Sequence, residues 1–578
     1  MAASITETPN ELTTDIDLAS ALGIVRLLRQ TDSQIYNGYL GFPGFNDREV
    51  LEAIAMTIKQ TRQIFASKGK KVLIISGAGT SGRLGMFVAR AYNRTVKRHY
   101  GKNNSIKFLI AGGNRALLAA QEISEDDTQL SIVDLEQAID DCDTVGYIGI
   151  TCGFSAPYVA SQLEWLLDRL TRKEIKGYAC LMGFNPVERS RNIPIEGYGK
   201  TFLDVARMVE QSPYGIILNP IVGPEPVTGS TRMKSGTSTK LLLDMVLELS
   251  IRKAVKDPIE QIRHFLALYE QARMGVYQQS EELATLIEQC SKTISAKGRL
   301  YYVGKAPYGI LGLIDASECP PTFGAGFEDI RGFIENGWES MLGRGGDMSQ
   351  EGSLYRIGIN EFVHEKLPHL TNKDTIIFLS EGTPATALKA TTKIGIKNHW
   401  SWEKILRESQ KKGAYTAAVL LQKTKPAAVK NNGINQIITP VVPSTPCFRE
   451  IAMKLILNAI TTGAHIRVGK VYRNRMVDLK ISNNKLFFRT QHIICSIMKV
   501  DEETALEAMF RSIYETDTVP DSIRHKNISE HIQNATGKDK VVPKALLLAT
   551  GKFTYKQAHD AINRQPVVRQ VIQEVLAK

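Results

Sequence analysis

One stretch of this chain occurs twice, and that repetition limits what the chain can fold into. SKGKKVLIISGAGTSGRLG, starting at Ser67, is echoed by AKGRLYYVGKAPYGILG, starting at Ala296. Gly77, Gly82 and Gly85 fall on Gly304, Gly309 and Gly312. Two further echoes follow in the same order: DTVGYIGITCGFSAPYV (from Asp143) with DTIIFLSEGTPATAL (from Asp374), and KLLLDMV (from Lys240) with KLILNAI (from Lys454). Self-similarity over this length marks an internal duplication of one unit. Within the first copy, short apolar runs at Val72–Ser76, Ile106–Ala111, Val145–Ile150, Tyr178–Gly183 and Gly215–Val222 end in Gly, Pro, Ser or Asn. Amphipathic helical segments separate them. Strands alternating with helices predict a parallel sheet covered by helices on both faces.

The 578 residues leave room for more than the two copies, since about 100–200 residues make a domain. The spacing predicts an N-terminal helix (Ile16–Arg29) and arm over 1–45, a first α/β domain over 46–285, a second over 286–499 and a small helical domain over 500–578. A helical stretch joins the copies over about residues 240–290. Hydrophobic residues at 43% and charged residues at 23% exclude a disordered, collagen-like or coiled-coil chain. The net charge of +12 permits anion binding. Its cations are spread along the chain without a basic block, so they do not point to nucleic acid. Seven scattered cysteines without a C-x-x-C pair argue for a reducing compartment and against a disulfide framework or zinc site. MAASITETPNELTTD lacks an apolar signal core, and no apolar run has membrane-spanning length. The expected location is the cytoplasm.

The chemistry is concentrated in the first glycine-rich turn, Ser76–Gly85. A turn from strand to helix aims several backbone N–H groups at one point, beside the positive end of the helix dipole. Gly77 and Gly79 allow close approach, and Thr80 and Ser81 add hydroxyl donors. This set suits a phosphate. The G-K-[ST] ending of a Walker loop is missing. So is the acidic residue of a dinucleotide fingerprint, since Gly112-Gly113 follow the second strand. The plainer alternative is a tight turn that needs glycine for geometry alone. Thr151 and Ser155 end the third strand at the same sheet edge. Ser230 and Thr231, with Arg232 and Lys234, open a later helix; hydroxyls there are also ordinary N-caps.

GAGTSGRLG, GSTRMKSGT and DASECPPTF together resemble the N-acetylmuramic acid 6-phosphate etherases of the sugar isomerase (SIS) superfamily. The doubled architecture, GFNPVERSRNIPIE and TTGAHIRVGKVYRNRMVDLKISNNKL look more like the glucokinase regulatory protein family, which is similar to two etherase-like domains fused in tandem. The resemblance implies two doubly wound, flavodoxin-like parallel-sheet SIS domains followed by a C-terminal helical lid. It also gives meaning to how the copies differ. The first has Val88-Ala89-Arg90-Ala91 where the second has Asp315-Ala316-Ser317-Glu318. The second has Pro307 and Tyr308 where the first has Thr80 and Ser81. One composite site follows, with the phosphate on the first domain and Glu318 reaching across from the second. The second turn is then a structural remnant.

Glu125 matches the other acidic position of the etherase motif. Paired carboxylates serve acid/base work, with Glu318 as acid and Glu125 as the base for water; both also suit plain hydrogen bonding to sugar hydroxyls. Lys470 matches a family lysine near the phosphate, and Arg473 stands beside it as a second cation. The histidines form no ligand-spaced cluster, so neither a metal nor another cofactor is expected. Cys319 reads as a small buried residue. The resemblance leaves two main functions open. One is a regulator that binds a fructose 6-phosphate-class ester and acts on a sugar kinase. The other is a lyase releasing D-lactate from N-acetylmuramic acid 6-phosphate in cell-wall sugar recycling. A phosphosugar aldose–ketose isomerase shares the fold and is disfavoured by the etherase-type motifs. At Thr151–Ser155 the chain departs from the Ser-Gly-Arg-Thr of the etherases. At Thr439–Pro446 it lacks the bulky apolar patch of animal glucokinase regulators. With both domains in one chain, the expected state is a monomer.

Overall fold

The computed structural model describes residues 4–101, 104–119, 122–388, 391–394, 398–424, 431–478, 481 and 484–576. Each copy forms a five-stranded, all-parallel sheet. The first contains β1 (Lys71–Gly77), β2 (Asn104–Ile110), β3 (Thr144–Ile150), β4 (Lys176–Met182) and β5 (Gly215–Leu218), in the order β2-β1-β3-β4-β5. The second contains β6 (Leu300–Gly304), β7 (Ile330–Ile334), β8 (Thr375–Glu381), then a short antiparallel pair β9 (Thr391–Ile394) and β10 (Asn398–Ser401), then β11 (Tyr415–Leu421) and β12 (Gln436–Ile438). Its sheet order is β12-β11-β8-β6-β7. Read from the other edge, this is the order of the first sheet, the flavodoxin-like arrangement. β1 and β3 are buried along their whole length, because helices cover both faces of a parallel sheet.

The turn glycines have the same physical reason in both halves. A Cβ on Gly82 would come within 2.5 Å of Ile110 Cγ1 and 2.8 Å of Gly77 O. A Cβ on Gly309 would lie 2.8 Å from Gly304 O. The helix crosses its strand too closely for any side chain, whether or not a ligand binds.

Several elements differ from the expectation. The helix after the first turn runs over Gly79–Tyr100; Lys97, Arg98 and His99 favour its C-terminal dipole end and Gly101 closes it. β5 stops at Leu218, short of Val222, because Pro220 cannot donate to a ladder. The N-terminal helix is Ala21–Asp32, started by Ser20, whose hydroxyl accepts from Gly23 N at 3.1 Å. Ile16–Leu18 form only a 3₁₀ turn. The connecting stretch holds three helices, Lys234–Ile251, Pro258–Tyr277 and Ser280–Ser295; the expected limit at 285/286 falls inside the last.

The halves are joined by helices Lys234–Ile251 and Pro446–Arg467, which are buried on nearly every face. These carry the KLLLDMV and KLILNAI repeats, and each lysine reaches the other half. Lys240 Nζ lies 2.6 Å from Asp244 and 2.8 Å from Glu450. Lys454 Nζ donates to Arg232 O (2.7 Å) and Thr237 Oγ1 (3.2 Å). A buried ammonium needs such partners, so the pairing fixes how the halves dock.

β13 (Val471–Tyr472) and β14 (Arg475–Met476) lead into the C-terminal helices, from Asn484 to Leu576. The N-terminal arm is tied to this end of the chain. Asn474 Nδ2 donates to Asn10 O at 2.7 Å, and Arg569 pairs with Asp15 (2.6 Å) and Asp17 (3.1 Å). Among the described residues no helix is long and apolar enough to cross a membrane. All seven cysteines are free thiols.

Candidate functional site

In a doubly wound sheet, ligands bind beyond the C-terminal strand ends where the strand order reverses. In the first half that point lies between β1 and β3, and a cavity of about 710 Å³ opens there. Gly79, Thr80 and Ser81 form one wall. The helix they begin has Ala78 at its N-cap and no side-chain cap, so its first-turn N–H groups remain available to an anion. Gly79 adopts φ +49° with nothing within 4 Å of a would-be Cβ, so a ligand can approach its backbone. Thr151 and Ser155 line the neighbouring wall from the loop after β3. Thr151 Oγ1 also accepts from Ser155 N (3.2 Å) and Ala156 N (3.3 Å), which shapes that loop.

The far wall belongs to the second half. Glu318, on the helix Tyr308–Phe323, lines this cavity and is 7% exposed. Its carboxylate pairs with Arg83, which is 1% exposed. Arg83 Nε donates to Leu117 O at 3.0 Å, while its Nη2 is buried with no hydrogen-bond partner. A buried guanidinium N–H left in this way is costly unless a ligand accepts it. Glu125 lines the same cavity. Any acid role for Glu318 requires the pair with Arg83 to open; a binding role does not. Cys152 also lines the cavity, with its Sγ 3.8 Å from Ser81 Oγ. Burial pushes this thiol up to about 12, so it is no thiolate nucleophile.

Several sequence candidates lie elsewhere. Gly77 sits beneath the turn, where a Cβ would meet Ser81 Cβ at 2.9 Å; it shapes the site without lining it. Ser230 is buried outside the lining, and its neighbour Thr231 lines the cavity instead. The helix that Ser230 precedes already has an anion at its start. Glu225 accepts from Lys234 N (2.8 Å) and Ser235 N (2.9 Å), filling the place a phosphate would take. The segment's cations are also engaged: Arg232 with Asp315 at 3.1 Å, and Lys234 with Gln34 and Pro224 at 2.9 Å. Lys470 does not line the cavity, because its ammonium pairs with Asp478. Arg473 likewise stays outside the lining, and its backbone N–H donates to Asp17 at 2.8 Å. His465 is buried against Phe323, ring centroids 4.3 Å apart, and burial pushes it down to about 3. Cys319 is fully buried.

Sequence reasoning passed over Arg83, although it stands inside the glycine motif. It also missed Ser4, Thr6 and Glu7 of the arm, which close the cavity from outside. Ile5 N donates to Asn185 Oδ1 at 3.0 Å and Gly229 N to Thr6 O at 3.3 Å, holding them there.

The second half has its own cavity, of about 540 Å³, at the matching turn. Pro307 caps its helix and brings no N–H. Tyr308 donates to Glu381 at 2.9 Å, and Arg449 pairs with the same carboxylate. An anion of the protein itself already engages this turn.

Comparison with known proteins matches three families along the chain: Glucokinase regulatory protein N-terminal SIS domain at residues 51–167, Glucokinase regulatory protein, second SIS domain at 277–402, and C-terminal lid domain of glucokinase regulatory protein at 473–572. Glucokinase regulatory protein of Xenopus laevis is 31% identical over 592 residues, covering 98% of this chain and 92% of that one. The human protein of that name is 30% identical over 598 residues, covering 100% and 93%. N-acetylmuramic acid 6-phosphate etherase of Clostridium beijerinckii is 30% identical over 287 residues, covering 49% of this chain and 84% of the etherase.

Proposed function

The chain belongs to the glucokinase regulatory protein family, and from that premise we propose that it binds a 6-phosphorylated sugar of the fructose 6-phosphate class and thereby regulates a sugar kinase. The phosphate sits on the first-turn N–H groups and the hydroxyls of Thr80 and Ser81. Arg83 adds its unpartnered N–H, Thr151 and Ser155 flank the ester, and Glu318 and Glu125 accept from the sugar hydroxyls. One observation carries this reading: Glu318 of the second half lines a cavity built on the turn of the first. A ligand there contacts both halves and biases how they pack, which changes affinity for a partner by linkage. The kinase is the partner, and the protein acts as a monomer because both halves of the site are in one chain.

A second reading has its own support. Glu318 and Glu125 line one cavity, as elimination of lactate from N-acetylmuramic acid 6-phosphate would require. The pairing of Glu318 with Arg83 favours binding over acid catalysis.

Incubation with N-acetylmuramic acid 6-phosphate, followed by assay of D-lactate, separates the two. The regulator reading predicts no release, and a rise in melting temperature with fructose 6-phosphate. Release that Glu318→Gln abolishes overturns it in favour of the lyase.

A further inference from the structure

The cavity has a second cationic end that a simple monophosphate leaves unused. The loop after β4 places Arg189, Ser190 and Arg191 on its wall. Neither arginine makes an ion pair among the described residues, with Glu188 and Glu7 of the same cavity or with any other acid. Ser190 is 5% exposed, and its Oγ is buried without a hydrogen-bond partner. The loop is fixed in place by its backbone: Ser190 N donates to Val187 O, and Arg191 N to Phe154 O, both at 3.0 Å. Asn185 Nδ2 donates to Arg189 O at 2.8 Å. Arg189 holds its guanidinium 5.4 Å from the Phe42 ring centroid and Arg191 is exposed, so a buried unused hydroxyl lies between two arginines of the sequence that make no ion pair, a set of donors suited to an anion. β4 lies two strands from β1 in the sheet, roughly 10 Å at about 4.8 Å per strand. The loops after both strands line the one cavity of about 710 Å³, a size that holds a sugar ester with a second acidic group.

We propose that the favoured ligand carries two acidic groups, a phosphate at the Gly79–Ser81 turn and a carboxylate or second phosphate at Arg189, Ser190 and Arg191. This rests on the sugar-phosphate reading above and narrows it to hexose 6-phosphates with a second acid. Such ligands are of two kinds, a hexose bisphosphate or a 6-phosphate bearing a carboxylated ether.

Titration calorimetry of the full chain against fructose 6-phosphate, fructose 1,6-bisphosphate and N-acetylmuramic acid 6-phosphate tests it. At least one doubly acidic ester binds about tenfold or more tightly than fructose 6-phosphate, the gain from one charge-assisted contact. Which one does so identifies the second acid. The Arg189→Gln/Arg191→Gln variant removes that advantage while fructose 6-phosphate binds as before, and Ser190→Ala removes part of it. Equal affinity for all three esters overturns this proposal and leaves sugar-phosphate binding standing. So does an equal weakening of all three in the double variant. No binding by any of them overturns both readings.

Discussion

The two halves share a sheet order and a glycine-packed turn, yet the two turns present different side chains. Neither helix has a side-chain cap, and each cavity holds an arginine with one buried N–H lacking a partner, Arg83 Nη2 and Arg449 Nε; the first half sets Thr80 and Ser81 at its turn. The second puts Pro307 and Tyr308 at the turn and sets Glu381 against Tyr308 and Arg449. What the halves share is what the backbone crossing needs, and what they do not share is what the proposed ligand would contact. Packing and binding use different residues of one motif, so a duplicated unit can lose its ligand chemistry and keep its fold. The cavity is shared, because the second half contributes Glu318 to its lining.

The sharpest test of that asymmetry is the ion pair. Arg83→Ala leaves Glu318 buried and unpaired, and is expected to cost about 3–5 kcal/mol in denaturant unfolding. Arg449→Ala, whose partner Glu381 has a side chain 46% exposed, is expected to cost less than about 1 kcal/mol. Equal costs would break the comparison. Acid titration comes next. His465, at the position matching Ile251 of the first half, has a folded-state value pushed down to about 3 by burial, against about 6.5 unfolded. The unfolded chain therefore binds more protons below pH 6.5. Stability present above that pH is lost toward pH 3, at up to about 1.4 kcal/mol per pH unit. His465→Gln should flatten this limb in urea melts taken across that range.

Gly82→Ala and Gly309→Ala are expected to cost a similar amount, about 1–3 kcal/mol each by overpacking, measured as shifts in denaturation midpoint. A large effect in one half alone would show that the crossing is not shared. The smallest effect belongs to the ligand. Ser81→Ala should weaken fructose 6-phosphate about tenfold, whereas Tyr308→Ser should leave its affinity unchanged.

Much of this was legible in the sequence. Apolar runs bounded by turn residues mark the strands of the first sheet to within a few residues, because a strand buried on both faces must be continuously apolar. The repeated glycines mark both crossings. The loss of Thr80 and Ser81 from one copy and the retention of Glu318 in the other anticipate a cavity lined from both sides. What escaped depends on contacts between distant segments. Nothing local tells that Glu225 caps the helix after Ser230, that Asp478 holds Lys470, or that residues 4–7 fold back over the β1 and β3 loops. A hydroxyl-rich segment or a lone lysine reads the same whether it faces a ligand or a neighbouring carboxylate.

The most direct test of one composite site is the stoichiometry of fructose 6-phosphate binding by titration calorimetry. The asymmetry between the halves predicts one ligand per chain, weakened by Ser81→Ala and again by Glu318→Ala, with no residual second event. Two equivalents per chain, or one equivalent insensitive to both substitutions, would contradict it.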